Sequence, residues 1–182
     1  MKNEYAKFVK YLEKQDNIFV QRDGDNVYLT DGKAVLMAPV ILYNAYIKPL
    51  SGILPELAED GIGCKRANDY VVEMGNGMDI KKAVDGLNTD YVIKESRFLV
   101  EIPITGKKKH GLARMFYCES GDYITINNEY IDMFAEIAPS EPWRGAGKWS
   151  APIIRKTDGF KVVIFPVRLA DGVLDFWKNL EK

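Results

Sequence analysis

Two residue types that build catalytic and metal sites are scarce in this chain of 182 residues. It has two cysteines, Cys64 and Cys118, and a single histidine, His110. Zinc sites with two cysteines and two histidines, and HExxH sites, therefore cannot form within one chain. A catalytic triad could use only His110, which lies in the polar run 106–111 and is typical of a solvated loop. We predict no metal site, no cofactor and no enzymatic activity.

Nucleotide-binding and hydrolase motifs are absent as well. The sequence has no GxGxxG, GxxxxGK[ST] or GxSxG pattern, and its glycine pairs at 61–63 and 75–77 are typical of turns. An enzymatic alternative would use Asp31 and Asp158, which occupy two Thr-Asp-Gly sequences. Turn formation explains both aspartates without a catalytic role.

Long apolar runs and an excess of one charge are also missing. The 25 basic and 26 acidic residues leave a net charge of -1, which argues against a basic tail but leaves a local basic face open. No apolar run approaches the roughly 20 residues that cross a bilayer, and the charged start at 1–10 does not resemble a signal peptide. We therefore predict reduced thiols, a cytoplasmic location and no membrane partner.

The sequence contains an internal repeat. Residues 30–42 (TDGKAVLMAPVIL) and residues 157–169 (TDGFKVVIFPVRL) agree at seven of thirteen positions without a gap. Upstream, the sequence Asn-Glu-Tyr at 3–5 recurs at 128–130, at nearly the same distance from each Thr-Asp-Gly. A repeat of this kind indicates two related half-domains within one fold.

Each copy predicts a short amphipathic helix followed by three strands. Apolar residues at i, i+3, i+4 and i+7 define one helix face in each copy. These residues are Tyr5, Phe8, Val9 and Leu12 in the first copy and Tyr130, Met133, Phe134 and Ile137 in the second. Strand-like sequences follow at 17–22, 27–30 and 34–40, and at 143–149, 152–157 and 160–169. A further strand at 123–126 gives the second half the order βαβββ.

Residues 43–111 separate the copies and share nothing obvious with either. The segment 53–58 and the apolar positions between 80 and 87 predict two short helices, and 98–104 alternates as a strand does. About 70 residues make a marginal core alone, so we predict an insertion packed on the repeat core. The prediction is a single α+β domain over 1–182, with half one at 1–42, the insertion at 43–111, half two at 112–169 and a C-terminal helix at 170–182.

Two (β)αβββ halves, each ending in an apolar strand that contains a proline, together resemble one domain of the DNA sliding clamps. The similarity lies in 124–134, where a strand enters a helix, in 152–155, and in 163–169, which resembles the Met-Pro-x-Arg-Leu strand of bacterial clamps with Phe165 in place of methionine. The resemblance implies a clamp-like fold of two pseudo-symmetric (β)αβββ halves with an inserted middle segment. It also implies a non-enzymatic DNA-replication accessory or a protein-docking module at DNA. Six such domains close a ring in the clamps, so this one-domain chain would either need six copies to close a ring or form no ring and keep only the domain architecture.

In sliding clamps the helices line the hole and present basic side chains to phosphates. The corresponding candidates here are the lysines of the first helix and of the basic loop, namely Lys7, Lys10, Lys14, Lys107, Lys108 and Lys109. In the second helix, Glu129, Asp132 and Glu136 occupy the equivalent face and would repel phosphate. The alternative is therefore a protein-interaction or assembly domain with a clamp-like core that does not bind DNA. A charge run is also typical of an ordinary solvated face.

The C-terminal segment 170–182 carries apolar residues at helical spacing, among them Leu174, Phe176 and Trp177. The ordinary interpretation is a helix that docks on the core. The clamp resemblance implies another, because clamps bind peptides that insert a leucine and an aromatic side chain into an apolar pocket. These residues would imitate such a peptide within the chain or on a neighbouring copy. Predicted partners are duplex DNA, other proteins through an apolar pocket or this helix, and further copies of the chain.

Overall fold

The computed structural model of the chain describes residues 4–75, 77–103, 110–148 and 151–167. The helices are α1 (Ala6–Leu12), α2 (Val40–Leu42), α3 (Ile80–Val84) and α4 (Asn128–Phe134), and a π-helical turn (Tyr43–Ile47) and a 3₁₀ turn (Lys48–Leu50) follow α2. The strands are β1 (Ile18–Asp23), β2 (Asn26–Thr30), β3 (Ala34–Pro39), β4 (Gly61–Lys65), β5 (Glu73–Met74), β6 (Tyr91–Val92), β7 (Lys94–Pro103), β8 (His110–Tyr117), β9 (Tyr123–Asn127), β10 (Arg144–Gly145), β11 (Ile153–Lys156) and β12 (Lys161–Ile164). This confirms a mixed architecture of helices and antiparallel sheet, while the pseudo-symmetry of the halves stays a prediction.

Within these ranges, no helix has the length and apolar character needed to cross a membrane.

The chain forms two compact units, each built from segments that are distant in sequence. The first unit comprises Met1–Leu87, Met133–Glu141 and Arg155–Val163. The second comprises Asn88–Asp132, Pro142–Ile154 and Ile164–Lys182. Neither unit coincides with one of the predicted segments, because the second sequence copy contributes residues to both. The single-domain organisation stays a prediction.

The first unit contains sheet strands in the order β5-β4-β1-β2-β3-β12. Strand β1 pairs antiparallel with β2 and with β4, and β2 pairs antiparallel with β3. Gly24 closes the β1–β2 hairpin with a φ of +56°, the left-handed conformation that glycine adopts without strain. The third strands of the two sequence copies, β3 and β12, are neighbours in this sheet.

The two Thr-Asp-Gly sequences form turns with one contact in common. The hydroxyl oxygen of Thr30 accepts the N–H of Gly32 at 2.9 Å, and that of Thr157 accepts the N–H of Gly159 at 3.5 Å. The glycines differ, because Gly32 has a φ of +88° whereas Gly159 lies outside the left-handed region. The repeated sequence therefore reproduces the threonine contact but not the whole backbone conformation of the turn.

Helix α1 packs on the core of the first unit through its apolar face. Phe8, Val9 and Leu12 have no solvent exposure, and the ring centroids of Phe8 and Phe134 lie 4.7 Å apart. The helix predicted in the first copy is confirmed. Because a helix of this length is not stable alone in water, its burial against the core is what maintains it.

Residues 53–58 are not helical, and the helix predicted there is wrong. Pro55 has no N–H to donate, and two carbonyls further along this segment accept hydrogen bonds from the Arg22 guanidinium. The Tyr43 hydroxyl donates to the Pro55 carbonyl at 2.8 Å. The residue before Pro55 is biased away from the α conformation. The contacts from Arg22 and Tyr43 then hold this segment in a non-helical conformation, and because both residues are distant in sequence, periodicity does not reveal them.

The second unit contains an antiparallel sheet with the order β7-β8-β9 and the short strands β11-β10-β6. Val100, Met115 and Tyr123 form a buried cluster in this unit. Strand β9 leads directly into α4, which confirms the predicted junction of strand and helix. A strand is predicted over 143–149. Within the described residues 143–148, strand β10 covers only Arg144–Gly145, so the predicted strand is too long.

Helix α3 is anchored to β1 by the buried amide of Gln21. Its Oε1 accepts the backbone N–H groups of Ile80 at 2.6 Å and Lys81 at 2.9 Å. Its Nε2 donates to the carboxylate of Asp79 at 3.1 Å, and the same carboxylate caps the helix by accepting the N–H of Lys82. These bonds satisfy N–H groups that the first turn of a helix leaves without an internal partner.

Replacing Gln21 with alanine should lower the free energy of unfolding by about 1–3 kcal/mol, because the N–H groups of Ile80 and Lys81 lose their acceptor. Urea unfolding followed by circular dichroism measures this change. Gln15→Ala is the matched control, since the Gln15 amide donates to the Tyr11 carbonyl at the end of α1 and should change stability by no more than about 0.5 kcal/mol. Equal losses in the two variants would contradict the anchoring role.

Candidate nucleic-acid interface

The outer face of α1 carries the three lysines predicted to contact DNA. Lys7, Lys10 and Lys14 are exposed, because burial of the apolar face turns the opposite side of the helix to solvent. Lys7 and Lys10 lie on the helix, and Lys14 lies in the turn after it, where its N–H donates to the Tyr11 carbonyl at 3.1 Å. At the rise of an α-helix the three positions extend over about 10 Å. These lysines are called the α1 basic surface below.

A fourth lysine, Lys65 of β4, lies at the C-terminal end of α1. Its Nζ donates to the carbonyl of Glu13 at 3.3 Å and to that of Gln15 at 3.2 Å. Carbonyls at the end of a helix lack internal partners, and a cation is favourable there. Sequence reasoning missed Lys65, because nothing local shows that a lysine 52 positions from Glu13 reaches this helix end.

The α1 basic surface is partly neutralised by an ion pair. Lys7 Nζ lies 3.0 Å from Glu136 Oε1, and the two side chains are 52% and 37% exposed. A pair this exposed contributes about 0–1 kcal/mol to stability, since water and salt screen it. Glu136 is one of the three acidic residues predicted to repel phosphate, and here it lies beside a lysine predicted to attract it.

The other two acidic residues of that set, Glu129 and Asp132, belong to the second unit and are exposed. Asp132 accepts a hydrogen bond from the Asn128 amide at 2.8 Å, and the Asn128 oxygen accepts one from Arg114 Nε at 2.7 Å. Arg114 also pairs with Glu95. Asp132 therefore belongs to a hydrogen-bonded network that already contains a cation, the Arg114 guanidinium.

The remaining predicted site residues lie outside the part of the chain that is described. They are Lys107, Lys108, Lys109, Leu174, Phe176 and Trp177. The described chain ends at Val167, whose backbone N–H donates to the Thr125 carbonyl of β9 at 2.7 Å. The DNA-binding role of the three loop lysines and the partner-binding role of the C-terminal residues stay predictions.

The aspartates of the enzymatic alternative have turn contacts. Asp31 Oδ1 accepts the N–H groups of Lys33 at 2.9 Å and Ala34 at 3.1 Å, and its Oδ2 accepts the Tyr11 hydroxyl at 3.2 Å. Asp158 is exposed in the second turn. Hydrogen bonds from the carboxylate to the N–H groups two and three residues on are those of a turn-forming aspartate, which favours the structural interpretation of Asp31.

The two thiols are buried and free. Burial raises the pKa of Cys118 to about 11, so this thiol is protonated at neutral pH and is a poor nucleophile. Among the residues that the structure describes, no group of three or more histidine, cysteine, aspartate or glutamate side chains is arranged to hold a metal ion. The exposed cations beside α1 are therefore the candidate site with the clearest chemistry, which is the attraction of anions.

Comparisons with known proteins add little to this geometry. No protein-family model and no curated protein matches the sequence. Among solved structures, the chain is similar to the beta subunit from DNA polymerase of Streptococcus pyogenes, with 9% sequence identity and a TM-score of 0.41. The match covers 95% of this chain and 64% of that subunit, so the chain spans less than two thirds of its length. The clamp resemblance of the sequence stays a prediction.

Proposed function

We propose that this chain is a non-enzymatic, clamp-like DNA-replication accessory that lies on duplex DNA through the α1 basic surface and docks other proteins there. The observation that supports the proposal is the arrangement of α1, whose apolar side is fully buried while Lys7, Lys10 and Lys14 face solvent. The resemblance of the two sequence copies to a clamp domain is consistent with the same role.

The contact would be electrostatic and independent of DNA sequence. A span of about 10 Å along α1 corresponds to about three phosphates of one strand along the duplex axis. Lysine ammonium groups act as point charges on phosphate oxygens and carry no information about the bases. Binding would therefore be weak, would tolerate any sequence and would serve to keep the chain and its partner proteins near DNA.

The salt dependence of duplex binding tests the proposal. The log-log slope of affinity against salt should have a magnitude of about 2–3 for two or three neutralised phosphates, and Lys10→Gln and Lys14→Gln should each reduce it by about 0.9. Fluorescence anisotropy with a labelled random-sequence duplex, between about 50 and 200 mM salt, measures the slope.

Lys82→Gln provides the control for this experiment. Lys82 is an exposed lysine of α3, so its substitution removes the same charge from another helix and should leave the slope unchanged. Absence of duplex binding by the unmodified chain would contradict the DNA proposal, as would equal slopes in all four proteins.

A second candidate function is a protein-assembly domain that keeps a clamp-like core and does not contact DNA. The ion pair between Lys7 and Glu136 favours it, because one of the three lysines already has a carboxylate partner. Exposed Glu129 adds a negative charge to the first turn of α4. A defined oligomer in light scattering, together with no duplex binding, would support this candidate, and a strict monomer would count against it.

The Glu136 carboxylate should weaken DNA binding by competing with phosphate for Lys7. In Glu136→Gln this carboxylate no longer competes with phosphate for Lys7, so the magnitude of the salt slope should rise, by about 0.9 at most. Adding Lys7→Gln to that variant should cancel the rise. Glu59→Gln, which removes an exposed carboxylate from the segment before β4, should leave the slope as it was. A slope that does not respond to Glu136→Gln would show that Lys7 makes no phosphate contact.

A further inference from the structure

The two glycine pairs of the sequence meet at one edge of the sheet in the first unit. Gly63 of β4 pairs with Met74 of β5. A Cβ at Gly63 would lie 2.6 Å from the Met74 sulfur, and one at Gly61 would lie 3.2 Å from its terminal methyl. A Cβ at Gly77 would lie 2.4 Å from the side chain of Ile62. The glycines thus let the Met74 side chain lie across β4, a position that larger residues would block.

Met74 lines two grooves on this edge. One has a volume of about 720 Å³ and includes Phe19, Cys64 and Met78, and the other has a volume of about 680 Å³ and includes residues 56–62. The two are called the β5 groove below. Met74 is the residue that lines both of them.

Met74 and Met78, which line the β5 groove, belong to a short stretch of chain with several exposed apolar side chains. Tyr70 is 90% exposed and Met74 is 42% exposed, and Val71 and Met78 are exposed as well. All four lie within nine consecutive positions of the chain. Clustered apolar exposure marks binding surfaces, and the flexible thioether of methionine adapts to varied apolar partners.

The charge of the β5 groove is negative. Its lining includes the carboxylates of Glu56, Glu59, Asp60, Asp69 and Glu73, and one cation, Arg66. Lys48 pairs with Glu56, and Arg22 lies 3.7 Å from Asp60, so two of the five carboxylates have cationic neighbours. The remaining excess of negative charge would repel nucleic acid and favours cationic groups.

We propose that the β5 groove binds a protein segment in which lysine or arginine side chains flank an apolar anchor. The anchor would contact the thioethers of Met74 and Met78, and the cations would lie against the carboxylates of Glu59 and Glu73. Charge complementarity selects this occupant, because an apolar segment with acidic flanks would meet like charges. The proposal does not depend on DNA binding by the α1 basic surface, because the β5 groove is a different surface and has the opposite charge.

Labelled synthetic peptides test the groove directly. The probe is a short peptide with leucines at helical spacing and lysines between them, compared with one in which glutamate replaces every lysine and one in which serine replaces every leucine. In fluorescence anisotropy the lysine-leucine peptide should bind at least about tenfold more tightly than either other peptide. Equal binding of the glutamate peptide, or no binding of the lysine-leucine peptide, would overturn the proposal.

Substitutions locate the binding site. Glu59→Lys with Glu73→Lys should weaken binding of the lysine-leucine peptide at least about tenfold. Glu101→Lys with Glu119→Lys makes the same change in charge at two exposed positions of the second unit and should leave binding unchanged. Equal weakening by the two double variants would overturn the proposal, because it would show a general response to charge.

A measurement on the unmodified chain avoids any dependence on variants that fold poorly. With methyl-labelled methionine, the peptide should shift the resonances of Met74 and Met78 but not those of the buried Met115 and Met133. Unshifted Met74 and Met78 resonances at saturating peptide would overturn the proposal. Self-association of the chain that shifts the same two resonances, without peptide, would identify a second copy as the occupant and would also overturn it.

Discussion

The burial of one face of α1 is the constraint on which the candidate interface depends. Phe8, Val9 and Leu12 are wholly removed from solvent, and the ring of Phe8 lies against that of Phe134. A helix of two turns has little stability of its own, so this apolar contact holds both its conformation and its orientation. Because the apolar side of α1 faces the core, the lysines on its opposite side are exposed to solvent.

The first unit presents two surfaces of opposite charge. Two contacts from distant parts of the chain change the charge of the α1 basic surface. They are the Glu136 carboxylate at Lys7, which adds negative charge, and the Lys65 ammonium at the helix end, which adds positive charge. The β5 groove is lined mainly by carboxylates around Met74. With a net charge of -1, the whole chain has little long-range field, so partner choice would depend on which surface is approached.

Local backbone structure was predictable from the sequence where it depends on residues that are neighbours along the chain. Asp-Gly at 23–24 predicts the tight hairpin that the structure contains, and Thr-Asp-Gly predicts both later turns. Prediction failed at 53–58, where Arg22 and Tyr43 bond carbonyls that the apolar pattern assigned to a helix. The glycine pairs are typical of turns, yet Gly61 and Gly63 lie in strand β4, where the absence of a side chain allows Met74 of β5 to pack closely. That close packing depends on two segments together.

The sequence by itself determined the amphipathic faces, the turns and the identity of the exposed lysines, because each of these follows from spacing along a few residues. Only the tertiary structure decided that Glu136 neutralises Lys7, that Lys65 joins the end of α1 and that Met74 crosses two glycines. Those contacts join residues that are distant along the chain, and their geometry depends on how the sheet and helices pack. A local pattern of charge or hydrophobicity does not predict which distant residue a side chain will contact.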